Sequence, residues 1–478
     1  MPTLSSLVRA ATRTVFPLLV ACNSESPPSS SGSDTETKTA CTKPTGPGVE
    51  HTAPISTDET WRAKDSPHRV PSSLRVDATL TLEPCVVVEV GGGAVITVGN
   101  GGATLPSGAI VAQGTGTSGT DSSRGITLQS ESDSEFWGGL LVLQTGSLDF
   151  KNVALVRAGD AQSSSAAVDA RGNQDKPLSE SLRFRDVAIV DAGTQGVKVS
   201  GYAAFTADST GLTISGSGAQ PEADARIPTG YPLDLEPPAV HTIPDGGAYD
   251  GNRRDEIMVR GATRVAVDEA FPDRGLPYFV DETLLMYDAD GSALTLTIEP
   301  GVTLRFDASD SGGVGLVLGD AASHSAVKLV AKGTSKKPIL LTSASEAPEA
   351  GAWAGVLMAD APADGNAIEN TTFEYAGGFT GSRGFGCGPL TNVGGLIVQS
   401  WRPASAFVKK STFRSTIGAG IVSGWTNAEG EDGPDLREDN VFEDIVDIAG
   451  EASCEVTEWA TDPNATCRND TRPTCVGE

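Results

Sequence analysis

Residues 79–90 read TLTLEPCVVVEV and residues 295–306 read TLTIEPGVTLRF, so one short block occurs twice in this chain of 478 residues. In each copy, apolar and polar residues alternate beside a Glu-Pro pair, and a period of two is typical of strands that bury one face. Glycine is frequent (56 residues), and no long stretch has apolar residues at helical spacing. The sequence therefore predicts an all-β protein of short strands and tight turns.

Four further blocks follow the Glu-Pro pair in the same order in both copies. They pair residues 111–115 with 330–334, 126–130 with 340–343, 136–143 with 352–359, and 150–159 with 368–377. Glu83 and Glu299 are 216 positions apart, as are Trp137 and Trp353. Ordered agreement at a near-constant spacing indicates an internal duplication.

Within each copy, strands and turns recur every roughly 20–25 residues, which is typical of the coils of a solenoid. The run LTIEPGVTLRF, followed by A-x-G-T, a Leu-Thr-Ser strand, W-x-G and N-x-x-[FL]-x-x-A-G, resembles the right-handed parallel β-helix (pectin-lyase-like) repeat proteins of bacterial surfaces. The resemblance covers roughly residues 50–450 and implies a right-handed parallel β-helix made of a duplicated unit. Cys85 departs from the pattern, because the second copy has Gly301 there, and this departure suggests a disulfide.

The first 22 residues have the pattern of an export signal. Arg9 and Arg13 precede a short apolar run, residues 15–21, which is too short to span a bilayer. The sequence LVAC at 19–22 resembles the lipobox of bacterial lipoproteins, which implies cleavage before Cys22 and acylation of that residue; an ordinary signal peptide or a chance match is the alternative. By the same resemblance, Asn23 favours the outer membrane, with the protein periplasmic or surface-exposed.

The chain divides into four predicted segments. Residues 1–21 are the signal peptide, and residues 22–50, rich in Ser, Thr, Pro and Gly, are a disordered, lipid-anchored linker. Residues 51–236 are the first β-helix unit with a Pro/Gly-rich connector, and residues 237–478 are the second unit with a cysteine-containing tail.

Seven cysteines are present, and lipidation of Cys22 would leave an even number in an exported chain. Up to three disulfides are then plausible, and the pairing stays open. The disulfide candidates are Cys41, Cys85, Cys387, Cys454, Cys467 and Cys475.

The formal net charge of −27 argues against a nucleic-acid partner, because phosphate binding needs concentrated Lys and Arg. Most of this charge should keep the protein soluble, and the alternative is surface calcium binding. The weak metal candidates lie in one acidic loop: Glu429, Glu431, Asp432 and Asp435. Asp288 and Asp290 resemble the start of a calcium loop, but the strand-like residues before Glu299 argue against one. No other cofactor is predicted.

No catalytic constellation is present, and the sequence favours a non-enzymatic protein. Trp137 and Trp353 are expected in the core, and Asn152 and Asn370 at turns where they bond the backbone. We expect the four histidines to be isolated surface residues: His51, His68, His241 and His324.

Three functions remain open. The first is a surface structural or binding lipoprotein that contacts glycans or surface proteins. The second is a carbohydrate-active enzyme (polysaccharide lyase, hydrolase or epimerase), which predicts carboxylates beside an Arg or Lys on one face, since lyases of this fold use calcium and a basic residue. The third is a periplasmic partner protein, which predicts an exposed apolar patch.

Overall fold

The computed structural model describes residues 41–42, 44–115, 125–162, 166–173, 177–222, 228–261, 264–308, 313–320, 322–378, 393–399, 401–423, 434–446, 456–458 and 474–475. Two short 3-10 helices, Ala63–Asp65 and Pro237–Thr242, accompany the strands. The strands of the first half are β1 (Val49–Glu50), β2 (Glu59–Trp61), β3 (His68–Val70), β4 (Leu74–Val76), β5 (Thr79–Leu82), β6 (Val87–Val90), β7 (Val95–Val98), β8 (Gly108–Gln113), β9 (Ile126–Ser130), β10 (Gly139–Val142), β11 (Gly146–Val156), β12 (Val168–Arg171), β13 (Ser179–Val190), β14 (Val197–Ser200), β15 (Ala203–Phe205), β16 (Thr213–Ser215) and β17 (Leu233–Leu235).

The second half of the chain is also built from short strands. They are β18 (Ile257–Val259), β19 (Glu269–Phe271), β20 (Tyr278–Val280), β21 (Leu284–Met286), β22 (Leu294–Ile298), β23 (Thr303–Phe306), β24 (Gly315–Leu318), β25 (Val327–Lys332), β26 (Ile339–Ser343), β27 (Gly355–Met358), β28 (Ala367–Glu369), β29 (Thr371–Glu374), β30 (Leu396–Val398), β31 (Val408–Lys409), β32 (Thr412–Arg414), β33 (Ile421–Ser423), β34 (Val441–Glu443), β35 (Val456–Glu458) and β36 (Thr474–Cys475).

The predicted all-β class and the parallel β-helix are confirmed. Neighbouring strands in each sheet come from successive coils and run parallel; among the described pairs, the antiparallel one joins β35 and β36. A sheet of 13 strands, called the long sheet below, runs from β4 to β34 through both sequence copies. Parallel strands of this kind need crossover connections, and here the other faces of each coil supply them.

Alternate residues of each strand point inward and form one continuous core. The pattern is clear in β5 and β6, where every second residue is buried. The corresponding inward residues of β22 and β23, such as Leu296 and Leu304, are buried as well. Each coil covers its apolar side chains only by stacking on the next coil, so the core extends along the stack.

The two sequence copies form the same local structures. Trp137 and Trp353 are fully buried, and each indole N–H donates to a backbone carbonyl, that of Val156 at 3.0 Å and that of Glu374 at 2.6 Å. The predicted core position of both tryptophans is therefore confirmed.

The two asparagines also occupy equivalent turns. Asn152 and Asn370 have positive φ angles (50° and 45°), and each side-chain amide donates to a glycine carbonyl, Gly114 or Gly333, at 3.0 Å. Asparagine tolerates this left-handed region better than most residues. The bonds fix the corner of one coil against the previous coil, as expected for a structural position.

Equivalent strands of the two copies lie in different sheets of the β-helix, so the second copy is rotated about the stack by one sheet relative to the first. In the first copy the long sheet contains the third strand of each coil, such as β7, which follows the Glu-Pro block and β6. In the second copy it contains the second strand, β23, which aligns with β6 through that block; the third strand, β24, lies in a separate sheet of seven. Equivalent faces of the two copies therefore point in different directions.

Cys41 and Cys85 form a disulfide that holds the start of the described chain to the second coil. Cys85 has a φ angle of 70°, and its counterpart Gly301 has 95°, so the turn after Glu-Pro needs a left-handed residue in both copies. Glycine adopts this region freely, whereas a side chain costs about 1–2 kcal/mol. The disulfide is found in the copy that has cysteine, the less favourable residue for this left-handed turn.

We expect Cys85→Gly to destabilise the protein less than Cys85→Ala. Both variants lose a disulfide of sequence separation 44, worth roughly 4 kcal/mol by loop-closure entropy. Glycine also relieves the left-handed strain, so Cys85→Gly should be about 1 kcal/mol more stable than Cys85→Ala. Urea unfolding without reductant measures both, and Cys41→Ser, which keeps the strained side chain, should match Cys85→Ala. Equal stability of the two Cys85 variants would show that the turn imposes no strain.

Candidate functional site on the long sheet

The outer side of the long sheet carries charged residues on three adjacent strands. Asp169 of β12 pairs in register with Lys198 of β14, which pairs with Asp234 of β17. The flanking residues of these strands are aliphatic and belong to the core, so the three charged side chains point outward. These three residues are called the outer row below.

The outer row is unusually buried for an outward face. Asp169 is 2% exposed and Asp234 is 1% exposed, while Lys198 is half-buried. Met258, the next outward residue along the sheet, is fully buried. Buried carboxylates must be paired or hydrogen-bonded, so their partners determine what the site can do.

Arg260 satisfies Asp234 through two bonds. Its Nε donates to Oδ1 and its Nη2 to Oδ2, both at 2.8 Å, in the bidentate geometry that gives the strongest ion pairs. Its Nη1 donates to Asp281 at 3.0 Å, and the Gly261 amide donates to the same carboxylate. The hydrogen bonds to Asp234 raise the pKa of Arg260, which stays charged.

Asp169 is less completely satisfied. Its Oδ2 accepts from Nη2 and Nε of Arg171 at 2.6 and 3.1 Å, whereas its buried Oδ1 has no hydrogen-bond partner within the described part of the chain. Lys198 lies one strand away, and neighbouring strands of a sheet are about 4.8 Å apart. The outer row thus places a basic side chain between two carboxylates.

Part of the connector predicted from the Pro/Gly-rich sequence lies beside this cluster. Tyr231 is buried, stacks on Phe279 with ring centroids 6.3 Å apart, and lies under the guanidinium of Arg254. Burial raises the pKa of Tyr231 to about 12, while the nearby charges of Arg254 and Arg260 oppose the shift. The aromatic pair therefore forms an apolar border beside the charged groups.

The predicted acidic metal loop is only partly described. Glu429, Glu431 and Asp432 lie outside the described residues. Asp435 forms an ion pair with Arg437, with Nη2 and Oδ2 2.8 Å apart, and this hydrogen bonding lowers the pKa of Asp435. Across the described ranges, no three His, Cys, Asp or Glu side chains are grouped so that they could hold a metal ion.

The cysteines and the calcium-loop residue Glu299 were also predicted as candidate positions. Cys22, Cys387, Cys454 and Cys467 lie outside the described residues, and Cys475 belongs to β36. Glu299, the last residue of the calcium-loop pattern, accepts the amide of Asp273 at 2.9 Å. No helix in the described segments is long and apolar enough to cross a membrane.

The expectation that the histidines are isolated is wrong for three of the four, and the expected surface position is wrong for His68. His51 and His68 form a hydrogen-bonded pair at 2.9 Å, and His68 is 3% exposed. His241, in the second 3-10 helix, is exposed but bonds Glu269 at 3.0 Å, and His324 is exposed as well. The partners come from other turns and strands, so proximity along the chain gave no signal.

Glu269 is a further buried acid that sequence reasoning missed. Its Oε1 accepts from the amides of His241 and Ala270, whereas Oε2 is buried and has no partner among the described atoms. Burial raises the pKa of Glu269, and the hydrogen bond to this carboxylate raises the pKa of His241. The pair lies where the second 3-10 helix meets β19, at the join of the two copies.

The third strands of the second copy differ from those of the first on their outer side. Their outward residues in register are Leu285, Val317, Leu357, Ile397 and Val422. The last three are buried in a small cluster separate from the main core, and Leu285 is exposed. At equivalent positions the first copy has Arg75 and Thr97, so the two copies have diverged on this side.

Comparisons with known proteins found no matching family model, curated protein or solved structure. The fold and the cluster therefore define the class directly: a parallel β-helix protein with a duplicated unit and an ion-paired outer row on its long sheet.

Proposed function

We propose that this chain is a non-enzymatic lipoprotein of the bacterial cell envelope that uses the outer face of the long sheet to bind glycans or surface proteins. The observation that carries the proposal is the pairing of the buried acids. Both carboxylate oxygens of Asp234 accept hydrogen bonds from Arg260, and Oδ2 of Asp169 accepts from Arg171. A carboxylate already paired with arginine is a weak general base and a weak calcium ligand.

The same pairing suits a binding surface. Arg171 is half exposed and Arg260 is one-third exposed, so each guanidinium is held by a buried acid and still reaches the surface. Side chains fixed in this way lose little conformational entropy when a ligand binds. Lys198 and the aromatic pair Tyr231–Phe279 lie beside them, a combination of polar donors and an apolar border that is typical of small-ligand sites.

The proposed location follows from the sequence alone. Cys22 would carry the lipid, the linker through residue 50 would separate the β-helix from the outer membrane, and the protein would be periplasmic or surface-exposed. The Cys41–Cys85 disulfide supports export, because disulfides persist in oxidising compartments.

A carbohydrate-active enzyme is the second candidate. It is favoured by Lys198, which lies between Asp169 and Asp234 on adjacent strands, the arrangement of base and carboxylates that this function requires. Within the described residues the Oδ1 of Asp169 has no hydrogen-bond partner, and because it is buried, a substrate or a metal ion would reach it only if the covering side chains moved.

One experiment separates the two candidates. The chain with Cys22→Ser, which cannot be acylated, is incubated with acidic and neutral polysaccharides, with and without calcium, and both retention and new chain ends are recorded. We expect retention without new chain ends, loss of retention in Lys198→Ala, and normal retention in Lys336→Ala, which alters an exposed lysine elsewhere. New chain ends that disappear in Lys198→Ala would establish the enzyme instead. If no polysaccharide is retained, the binding partner would be a protein rather than a glycan.

A further inference from the structure

At the join of the two copies, the faces of the β-helix are connected in different ways. The long sheet runs through the join from β17 to β18 and β20, whereas the 11-stranded sheet contains strands of the first copy and the 5- and 7-stranded sheets contain strands of the second. The second 3-10 helix lies between β15 and β19 and contacts both strands. Because a helix cannot extend a strand ladder, side chains bond it to its neighbours.

Glu269 bonds this helix to β19. Its Oε1 accepts from the amide of His241 at 2.8 Å, and Nδ1 of the same histidine lies 3.0 Å away; the Ala270 amide donates to this oxygen as well. On the other side of the helix, the amide of Phe205 in β15 donates to the Thr242 hydroxyl at 3.3 Å. The carboxylate of Glu269 therefore ties the end of the helix to the second copy.

This carboxylate is also buried at a core position. Glu269 pairs in register with Leu296, an inward core residue, just as Glu59 of the first copy pairs with Leu80. The two glutamates are thus equivalent, yet the Glu59 side chain is 43% exposed and that of Glu269 is 1% exposed. Oε2 of Glu269 has no hydrogen-bond partner among the described atoms. An ionised Glu269 would therefore have one buried oxygen without a donor.

His241 is the titratable partner of Glu269, and its side chain, 33% exposed, exchanges protons with solvent. The exposed Asp268, next to Glu269, favours a positive charge on His241, while Arg274 is paired with Asp245 at 2.8 Å. The remaining titratable groups near the pair are bonded to other groups or stay neutral: Asp273, Glu299, Tyr249 and Tyr278. The charge of Glu269 is therefore balanced by His241.

One proton determines the net charge of this pair. Burial raises the pKa of Glu269, and the hydrogen bond to Glu269 raises the pKa of His241, so the closed join retains one proton on the pair. With this proton the pair is neutral overall, and without it the buried carboxylate is an uncompensated negative charge, which is strongly unfavourable. The Nδ1 hydrogen of His241 bonds Oε1 in both states, so the difference is electrostatic and does not require a broken hydrogen bond.

We propose that Glu269 and His241 form a proton-dependent latch: while the pair holds one proton, the second 3-10 helix stays closed on β19, and loss of this proton at alkaline pH favours opening of the join. In the open join an ordinary histidine releases the proton at about 6.5. The closed join keeps it to higher pH, so this stabilisation is fully present below about 6.5 and is lost as the pH rises above that value. The helix follows β17 after one residue, Glu236, so opening also loosens the strand that carries Asp234.

Hydrogen exchange of the full chain at pH 6.0 and pH 8.5, read by mass spectrometry and corrected for intrinsic rates, tests the proposal. We expect protection of peptides within residues 233–243 and 266–276 to fall by about tenfold or more at pH 8.5, since linkage to one proton allows about tenfold per pH unit. Peptides within residues 327–343, in β25 and β26, should keep their protection and report any general effect of the net charge. Equal protection of the join peptides at the two pH values would overturn the proposal.

Three substitutions identify the groups of the latch. In Glu269→Gln the amide oxygen accepts the same hydrogen bonds but cannot ionise, so protection of the join should no longer depend on pH. Glu59→Gln, the matched control at the equivalent exposed position, should keep the pH dependence of the unchanged protein. Should Glu269→Gln open the join at both pH values, His241→Gln still decides: it removes the imidazole that balances Glu269, so the join should already open at pH 6.0. Unchanged pH dependence in either Glu269→Gln or His241→Gln would contradict the proposal.

Discussion

Replacement of Trp353 by alanine should lower the free energy of unfolding of the second copy by about 3–5 kcal/mol, the usual cost of truncating a buried aromatic side chain. The Trp353 ring is fully buried and stacks on Phe306, with centroids 4.3 Å apart and an interplanar angle of 4°. Its indole N–H donates to the Glu374 carbonyl at 2.6 Å, so the variant also leaves this acceptor unpaired. Both losses fall on one corner of one coil.

Urea unfolding followed by circular dichroism measures the effect, and hydrogen exchange locates it. Coils of a solenoid contact only their neighbours, so protection should fall around β26 to β29 and stay unchanged near β9. Trp137→Ala should give the mirror result in the first copy, while Leu105→Ala, at a side chain 51% exposed, should change stability by less than about 0.5 kcal/mol. A uniform loss of protection would mean that the copies unfold as one unit.

Sequence alone predicted the strands and the duplication because their pattern is local. The Glu-Pro blocks, the two tryptophans and the two asparagines each determine structure within a few residues, and all are found in equivalent turns. The rotation by one sheet between the two copies was not predictable in this way. It arises in the stretch from β17 to β20, where Pro, Gly and Asp residues give weak periodicity and the register is set by strand pairing across the join.

The outer row shows a different limit. A single charged residue between aliphatic neighbours, as in VDA at 168–170, VKV at 197–199 and LDL at 233–235, was a usable signal for aligned strands. The sequence could not show that Asp169 and Asp234 are buried, because the residues beside them come from other coils. Nor could it pair Arg260 with Asp234, 26 residues apart, because an approximate coil length does not determine which residues of neighbouring coils are in register.

Replacement of Arg260 by methionine should destabilise the protein by about 3–5 kcal/mol, because breaking a buried ion pair leaves an uncompensated charge. Asp234 is 1% exposed and takes both of its arginine bonds from this residue; its remaining contact is the Gln195 amide at 3.4 Å. Asp281 loses a partner as well. Methionine keeps most of the apolar stem, so the loss measures the charge and its hydrogen bonds rather than packing.

A second substitution tests this cause. Asp234→Asn combined with Arg260→Met removes both charges, and the double variant should recover most of the lost stability, since a buried pair as a whole contributes little. Arg437→Met, which breaks an exposed pair with Asp435, should cost at most about 1 kcal/mol. If the double variant were as unstable as Arg260→Met, the arginine would act through packing against Tyr231 and its neighbours. Recovery of stability together with loss of glycan retention would show that the ion pair serves to position Arg260 on the binding face.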